Sequence, residues 1–413
     1  MSQTVGGINQ LRFSNDVLQE VSEMVSWRRQ LHSIPELSFQ ENETTSFILD
    51  KLNSIPGLTV KRPCPTGAIA VLRGTAKPSN DKKAEAAEPR CILLRADIDA
   101  LPITESNHLP FCSRHAGVMH ACGHDGHTAM MLAAAKLLAA QRSRLYGEVR
   151  FLFQHAEELP PGGAAELMKA GVMNGVDELY GMHLSSSFPT GTFGVREGAL
   201  TSATDRFEIR IIGKGGHSAF PETTIDPIVI TGQLIGALQT IVSRQIRAVE
   251  PAVVSVCQIQ AGRAYNIIPD EAQLIGSTRT FSAETRKRLP AIMEREAHGL
   301  CEASGATCQF QFTHGYASVI NDRALTAECK NLIQRSFGDQ AVLDIEPLMP
   351  GEDYSALQES GCPGFFVELG ARNEAMGITA PHHNANYLMD EEAMTYGLQY
   401  WVNLVQNRLS FHS

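Results

Sequence analysis

Residues 119–128 have the sequence MHACGHDGHT and lie between a strand-like apolar run, CILLRADIDA (91–100), and a helix-like run, TAMMLAAAKLLAAQ (128–141). Within this segment a single residue separates Cys122 from His124. Thiolate and imidazole groups both bind ions of the zinc class, and the glycines of the segment allow close backbone approach. The density of ligand-type side chains favours a metal site over a buried cysteine beside a solvated histidine.

Two adjacent carboxylates follow another apolar run. Glu157 and Glu158 come shortly after VRFLFQ (149–154), at the carboxyl end of a predicted strand, where α/β sheets form ligand sites. Neighbouring residues at a strand end point in different directions, so one carboxylate can bind a metal while the other acts as a general base. Taken alone, the pair is at least as typical of a solvated acidic turn before PPGG.

Two further histidines complete the candidate set. His183 follows the apolar run ELYGM (178–182), and His383 lies in APHHNANY (380–387), where His382 is a competing candidate by chemistry alone. A lone histidine at such a position is more often structural than a ligand. The four features are weak individually, but together they predict the site of a two-metal hydrolase.

The order of predicted elements divides the chain into an interrupted α/β domain and an insertion. A single core stops growing at about 250–300 residues, so the 413 residues favour two domains. Strand-like and helix-like runs alternate in 1–202 and again in 317–413. The segment 203–316 instead has the order strand–helix–strand–strand–helix–strand, the split βαβ pattern of a ferredoxin-like sandwich. Within it, Pro290 either kinks the second helix or marks its start.

Composition excludes several classes of protein. The net charge of −10 argues against a general nucleic-acid binder or a protein of anionic membranes. A run of about 18 apolar residues is absent, so no membrane span is expected, and residues 1–16 lack the pattern of a secretory leader. Nine scattered cysteines favour reduced thiols and a cytoplasmic location. The polar segment 75–90 predicts an exposed loop.

Longer motifs extend over nearly the whole chain. They are RRQLHSIPELSFQE (28–41), RADIDALPI (95–103), MHACGHDGHT (119–128), QHAEE (154–158), GKGGHSAFP (213–221), NIIPDEA (266–272), STRTF (277–281) and GEDYS (351–355). With these motifs the chain resembles the metal-dependent amidohydrolases of the aminoacylase/carboxypeptidase G metallopeptidase family. That group contains hippurate hydrolases, N-acyl-L-amino acid amidohydrolases and auxin–amino acid conjugate hydrolases. The resemblance implies a zinc-exopeptidase-like catalytic domain with an inserted ferredoxin-like lid and dimerisation domain.

The resemblance also implies two divalent metal ions per subunit. The implied ligands are Cys122, His124, Glu158, His183 and His383. Cys122 would bridge the two ions, and Glu157 would be the general base. His383 is preferred to His382 because the family pattern has an aromatic residue four positions after the ligand, here Tyr387. Zinc or manganese is expected, with cobalt or nickel as alternatives.

Several other residues flank these ligands. Asp97 and Asp99 in RADIDALP are expected to orient the ligands, the alternative being two turn-forming aspartates at a strand end. The chain departs from the family pattern at two positions: His155 and Ala385 each stand where the group usually has proline. Both flank ligands rather than supply them, and their effect on specificity is left open.

The inserted domain is expected to contribute to the site and to a homodimer. The resemblance implies that His217 reaches the site of a partner subunit and polarises the scissile carbonyl. Asn266 and Arg279 would hold the substrate carboxylate, for which the arginine fork is well suited. The alternatives are a loop histidine that bonds its own turn and an ordinary exposed strand arginine.

The predicted activity is hydrolysis of the amide bond of N-acyl-L-amino acids, small molecules with acetyl, benzoyl or indole-acetyl groups. A dipeptidase or carboxypeptidase with the same site is a close alternative. A hydrolase that uses Cys122 as nucleophile with His124 is a second, and chelators would not abolish its activity. A non-catalytic binding protein on the same fold is disfavoured by the presence of Glu157.

Overall fold

The structure, a computed structural model, describes residues 13–77 and 88–410, which form two compact units. The first unit contains the described residues of 13–198 together with 320–346 and 356–410. The second contains 199–319 and 347–355. The second unit therefore begins and ends a few residues outside the predicted insertion, and it takes in a later segment of the chain as well.

The bounds of the regular elements are as follows. Within the described residues, the helices are α1 (Asn15–His32), α2 (Asn42–Asn53), α3 (His124–Ala140), α4 (Gly163–Lys169), α5 (Pro227–Arg244), α6 (Ala283–Ala303), α7 (Arg323–Phe337), α8 (Tyr354–Gln358) and α9 (Glu392–Leu409). The strands are β1 (Leu58–Lys61), β2 (Ala68–Arg73), β3 (Arg90–Asp97), β4 (Gly147–Gln154), β5 (Glu178–Pro189), β6 (Phe193–Val195), β7 (Gly198–Ala199), β8 (Ala203–Ile212), β9 (Gly216–His217), β10 (Ala252–Ala261), β11 (Ile267–Ile268), β12 (Glu271–Thr280), β13 (Thr307–His314), β14 (Ile320–Asn321), β15 (Val342–Asp344) and β16 (Gly364–Arg372).

The first unit is built on a mixed eight-stranded sheet, which confirms the predicted α/β class. The strand order is β1-β2-β4-β3-β5-β16-β6-β15. The four central strands, β4, β3, β5 and β16, run parallel to one another, whereas β1, β2 and β6 each pair antiparallel with a neighbour. Seven of the eight residues of β3 are buried, as expected for a strand covered on both faces.

Helix α3 is the central helix of this unit. Almost every side chain along it is buried, because it packs against β3 and against the helices α1 and α9. The parallel strands β3, β4 and β5 have their carboxyl ends at one edge of the sheet. The first turn of α3 lies at this edge, since His124 hydrogen-bonds to Asp99 just beyond the end of β3.

The second unit contains a four-stranded antiparallel sheet with strand order β10-β12-β8-β13. Apart from the two-residue strands β9 and β11, its elements follow the order β8-α5-β10-β12-α6-β13, as the sequence predicts. Burial alternates along β8, because one face of the sheet is covered by α5 and α6. Side chains that cap the two helices mark their starts: Asp226 accepts from the Ile228 N–H and Ser282 from the Thr285 N–H.

Some boundaries differ from the sequence prediction. Helix α3 begins at His124, four residues before the predicted start. Helix α6 begins at Ala283, so Pro290 lies inside that helix and does not mark its start. Helix α2 and strand β1 were not anticipated. Most of the predicted loop 75–90, like most of the first 16 residues, lies outside the described residues. Among the described helices, none is long and apolar enough to cross a membrane.

Candidate metal centre

A glycine with a left-handed backbone conformation precedes α3 and separates Cys122 from His124. Gly123 has φ +96°, and a Cβ there would lie 3.1 Å from the Tyr387 Oη and 3.3 Å from the Leu184 Cβ. Only glycine adopts this backbone conformation without strain and leaves space for both neighbours. The turn presents Cys122 just before α3 and His124 as the first residue of the helix.

Cys122 belongs to two groups of metal-ligand side chains. The first group is Cys122, His124 and His183, and the second is Cys122, Glu158 and His383. In each group the ligand atoms all lie within 4.8 Å of one another. The Cys122 Sγ is 3.4 Å from the His183 Nε2, and the Glu158 Oε1 is 3.3 Å from the His383 Nε2. The structure therefore brings together all five residues that the resemblance implies as ligands, with the cysteine common to both groups.

The two adjacent histidines near the C-terminus have different surroundings. His383 has a left-handed backbone, with φ +60°, and its N–H donates to the Ala121 carbonyl at 2.8 Å. This places its ring beside Glu158. The His382 Nε2 instead accepts from the Ser186 N–H at 3.1 Å. Geometry thus favours His383 as the ligand, as the family pattern does.

Asp99 contacts two of the candidate ligands. The His124 Nδ1 lies 2.9 Å from the Asp99 carbonyl and 3.2 Å from its Oδ1. The other carboxylate oxygen, Oδ2, accepts from the Glu158 N–H at 3.0 Å and from the Ser38 hydroxyl at 2.7 Å. With Nδ1 bonded to Asp99, the His124 Nε2 is the ring atom directed at the cluster. This is the arrangement by which outer residues orient ligands.

Asp97 lies in a second buried set of contacts, with His127 and Arg95. Its Oδ1 is 2.5 Å from the His127 Nδ1, and its Oδ2 accepts from the Arg95 guanidinium at 2.6 Å. The His127 Nε2 accepts from the Leu184 N–H at 2.7 Å, beside His183. His127 was not singled out from the sequence, although its position three residues after His124 puts both on one helical face.

The loop that carries the paired carboxylates is held by buried groups. Glu157 is 8 % exposed, and its carboxylate lies within 4.8 Å of ligand atoms of His124 and Glu158. Ala156 has φ +51°, and its N–H donates at 2.8 Å to Glu41, a fully buried carboxyl group that sequence reasoning missed. Burial, with the nearby charge of Asp99, raises the pKa of Glu41 to about 7.

The electrostatics of the cluster fit divalent cations. The His124 Nε2 is buried and has no hydrogen-bond partner among the described residues. Burial raises the pKa of the Cys122 thiol well above its ordinary value, and the charges of Glu158 and Glu157 add to that effect. Burial alone would lower the pKa of His124, but the carboxylates outweigh it and raise that pKa to about 10. The cluster therefore attracts positive charge, and metal ions would satisfy the His124 Nε2 and ionise the thiol.

Three predicted substrate-contacting residues lie in the second unit. The exposed His217 is in β9, and its Nδ1 accepts from the Ala219 N–H at 3.1 Å, as the loop-histidine alternative predicts. The pairing of β9 with β11 places it opposite Ile267, next to Asn266 in the chain. Arg279 lies on β12 and donates to the Thr278 carbonyl at 3.0 Å. Their roles stay predictions.

The pattern of one protein family matches most of the chain. The model of Peptidase family M20/M25/M40 matches residues 93–407, a range that contains every candidate ligand. The chain belongs to Peptidase family M20/M25/M40. The resemblance inferred from the motifs is thereby confirmed.

Relatives within the M20 family are similar over most of their length. An N-acyl-L-amino acid amidohydrolase from Geobacillus stearothermophilus is 49% identical over 300 residues, 73% of this chain and 78% of the relative. An N-acetylcysteine deacetylase from Bacillus subtilis is 43% identical over 383 residues, 92% and 95% of the two chains. A solved structure of a dinuclear metal-binding M20 peptidase from Bacillus subtilis is 38% identical. It has a TM-score of 0.81 and covers 95% of this chain and 99% of that one.

Proposed function

We propose that this M20-family chain is a metal-dependent hydrolase that cleaves the amide bond of N-acyl-L-amino acids and releases a carboxylic acid and a free amino acid. The observation that carries the proposal is the position of Cys122, shared by two ligand groups, with the Glu157 carboxylate beside them. Relatives named as an amidohydrolase and a deacetylase of N-acylated amino acids support this choice of substrate class.

The proposed ligands divide between two ions. His124 and His183 would hold one, Glu158 and His383 the other, and Cys122 would contact both. When bound, the ions supply Lewis acidity, which polarises a carbonyl and makes water easier to deprotonate. Thiolate and imidazole ligands favour zinc, and manganese, cobalt or nickel are the alternatives to test.

Glu157 is proposed as the general base. Its carboxylate lies next to the ligand groups. The loop that carries it is held by the hydrogen bond from the Ala156 N–H to Glu41. In this role it takes a proton from water as the water attacks the amide carbonyl, and it then returns the proton to the leaving amine nitrogen. Such proton transfer typically contributes about 10²–10⁴-fold to the rate.

Asp99 and Asp97 are proposed as positioning residues. Asp99 holds the His124 ring through Nδ1 and the Glu158 backbone through its N–H. Asp97 holds His127, whose other ring nitrogen bonds the backbone beside His183. Neither aspartate needs to touch the substrate.

The second unit is proposed to be a ferredoxin-like lid and dimerisation domain. Its βαββαβ order and antiparallel sheet support the fold. His217 would polarise the scissile carbonyl in a partner subunit's site, and Asn266 and Arg279 would hold the substrate carboxylate. Asn266 directly precedes β11, whose Ile267 pairs with His217, and its carbonyl accepts from the Ser218 N–H at 3.2 Å; this proximity supports a joint role.

A substrate panel tests the proposal. Hippurate, N-acetyl-methionine, N-acetyl-cysteine, indole-acetyl-alanine and a dipeptide are each assayed with and without chelator, and again after zinc or manganese is restored. Activity on the N-acyl compounds that a chelator abolishes and metal restores is the expected result. Dipeptide cleavage alone would favour the carboxypeptidase alternative, and activity that survives chelation would favour Cys122 as nucleophile.

A further inference from the structure

A second cluster of ligand-type side chains lies in the first unit, outside the ligand set described above. It consists of Cys64 in the connection between β1 and β2, His155 directly after β4, and Glu166 on α4. One ligand atom from each side chain lies within 4.8 Å of those of the other two. Thiol, imidazole and carboxylate are the three donor types found in zinc sites.

His155 is the centre of this cluster. It is 1 % exposed, and its Nδ1 is buried without a hydrogen-bond partner anywhere in the described part of the chain. Its Nε2 lies 3.2 Å from the Glu166 Oε2. A buried ring nitrogen without a partner is destabilising.

A glycine in α4 makes room for His155. A Cβ on Gly163 would lie 2.0 Å from the His155 carbonyl oxygen and 3.0 Å from its Cδ2. The ring of Phe39 packs edge-on against the imidazole, with centroids 5.7 Å apart. The ring is therefore held in place before any ion binds.

The cluster is open to solvent on one side. The Glu166 side chain is 49 % exposed and Cys64 is half-buried, whereas His155 closes the inner side. An ion can therefore reach the three donors from solvent, and water can supply a fourth ligand. Three protein ligands with one open position form a common arrangement for zinc.

We propose that Cys64, His155 and Glu166 form an additional binding site for a zinc-type divalent ion, separate from the Cys122 cluster. An ion there joins the β1–β2 connection, the end of β4 and helix α4. His155 precedes Glu157 by two residues, so a bound ion would also restrain the segment that carries Glu157. The site does not depend on the proposed hydrolase activity, since its test measures binding.

Zinc binding by the intact metal-loaded protein tests the site. At a buffered excess of free zinc, equilibrium dialysis followed by elemental analysis gives the zinc bound per chain. The wild type is expected to bind one ion more than Cys64→Ser or His155→Gln. Cys362→Ser, which removes another half-buried cysteine of the same unit, is the matched control and keeps the additional ion.

Thiol protection gives a second readout. Alkylation of Cys64, followed by peptide mass spectrometry, should slow by about tenfold when free zinc is tenfold above its dissociation constant. The exposed Cys257 serves as an internal control with an unchanged rate. Equal zinc content in the wild type and both site variants, with Cys64 alkylated at the same rate in zinc, would overturn the proposal.

Discussion

Asp99 shows how one carboxylate positions two ligands. Its Oδ1 lies 3.2 Å from the His124 Nδ1, and its Oδ2 accepts the Glu158 N–H at 3.0 Å. We expect Asp99→Ala to weaken metal binding by about 10–100-fold, the usual effect of losing an orienting partner. Competition with a chromophoric chelator measures the change. Asp50→Ala, at an 81 % exposed side chain, is the control and should leave metal affinity unaltered.

Glu41 makes stability depend on pH. Burial and the charge of Asp99 raise its pKa from 4.5 to about 7, a difference equivalent to about 3 kcal/mol. A pKa that is higher in the folded state than in the unfolded state contributes stability. That contribution is complete below the pKa of the unfolded state and is lost as the pH rises through the pKa of the folded state. Glu41→Gln removes this titration, so between pH 4.5 and 7 the wild type should lose stability relative to the variant.

Urea unfolding in the presence of chelator, from pH 5 to 8, measures that difference. Glu43→Gln, at an exposed position nearby, is the control for the loss of a carboxylate. A constant difference between wild type and Glu41→Gln would show that Glu41 does not titrate in this range.

The turn into α3 depends on the backbone of Gly123. Alanine in the left-handed region costs about 1–2 kcal/mol per residue. At Gly123 the added Cβ also crowds the Tyr387 Oη at 3.1 Å. We expect Gly123→Ala to destabilise the protein more than Gly377→Ala, where φ is also positive, at +73°, but nothing lies within 4 Å of the added Cβ. Denaturant unfolding compares the two, and equal losses would exclude crowding as a contribution.

Strands with continuous apolar runs were predictable from the sequence, and so were the candidate metal-ligating side chains near their ends. The buried runs of β3, β4 and β16 have the hydrophobic signature of covered strands. Helix α2 and strand β1 were not anticipated, because NETTSFILDKLN and LTVK are short and mix polar with apolar residues. The start of α3 was predicted four residues late, since the helical pattern of apolar residues begins only after its ligand-bearing first turn.

The side-chain contacts that hold the candidate ligands in place could not be predicted from the sequence. His127 and Glu41 act through pairs distant in the chain, with Asp97 and Ala156 respectively, and a single sequence carries no signal for such pairs. The choice between His382 and His383 required the family pattern, because only the fold reveals that His382 accepts from the Ser186 N–H. The sequence shows which side chains are able to bind a metal or transfer a proton, but it does not show their hydrogen-bond partners.

At the scale of the whole molecule, complementation tests the proposal that His217 of one subunit acts in the site of its partner. Glu157→Gln and His217→Ala chains are co-expressed, and each is also purified alone. If His217 acts in the partner's site, mixed dimers contain one intact site, and about a quarter of wild-type activity should return. A mixture as inactive as its parents would contradict a role in the partner's site, and a fully active monomer in sizing experiments would exclude the dimer requirement.

The most direct test of the account is the activity and metal content of Glu157→Gln in the metal-loaded protein. The substitution keeps the size of the side chain and leaves the five proposed ligands in place. We predict that kcat on an N-acyl-amino acid falls by about 10²–10⁴-fold while the bound metal per chain is unchanged. Activity within a few-fold of the wild type at equal metal content would contradict the proposed role of Glu157 as general base.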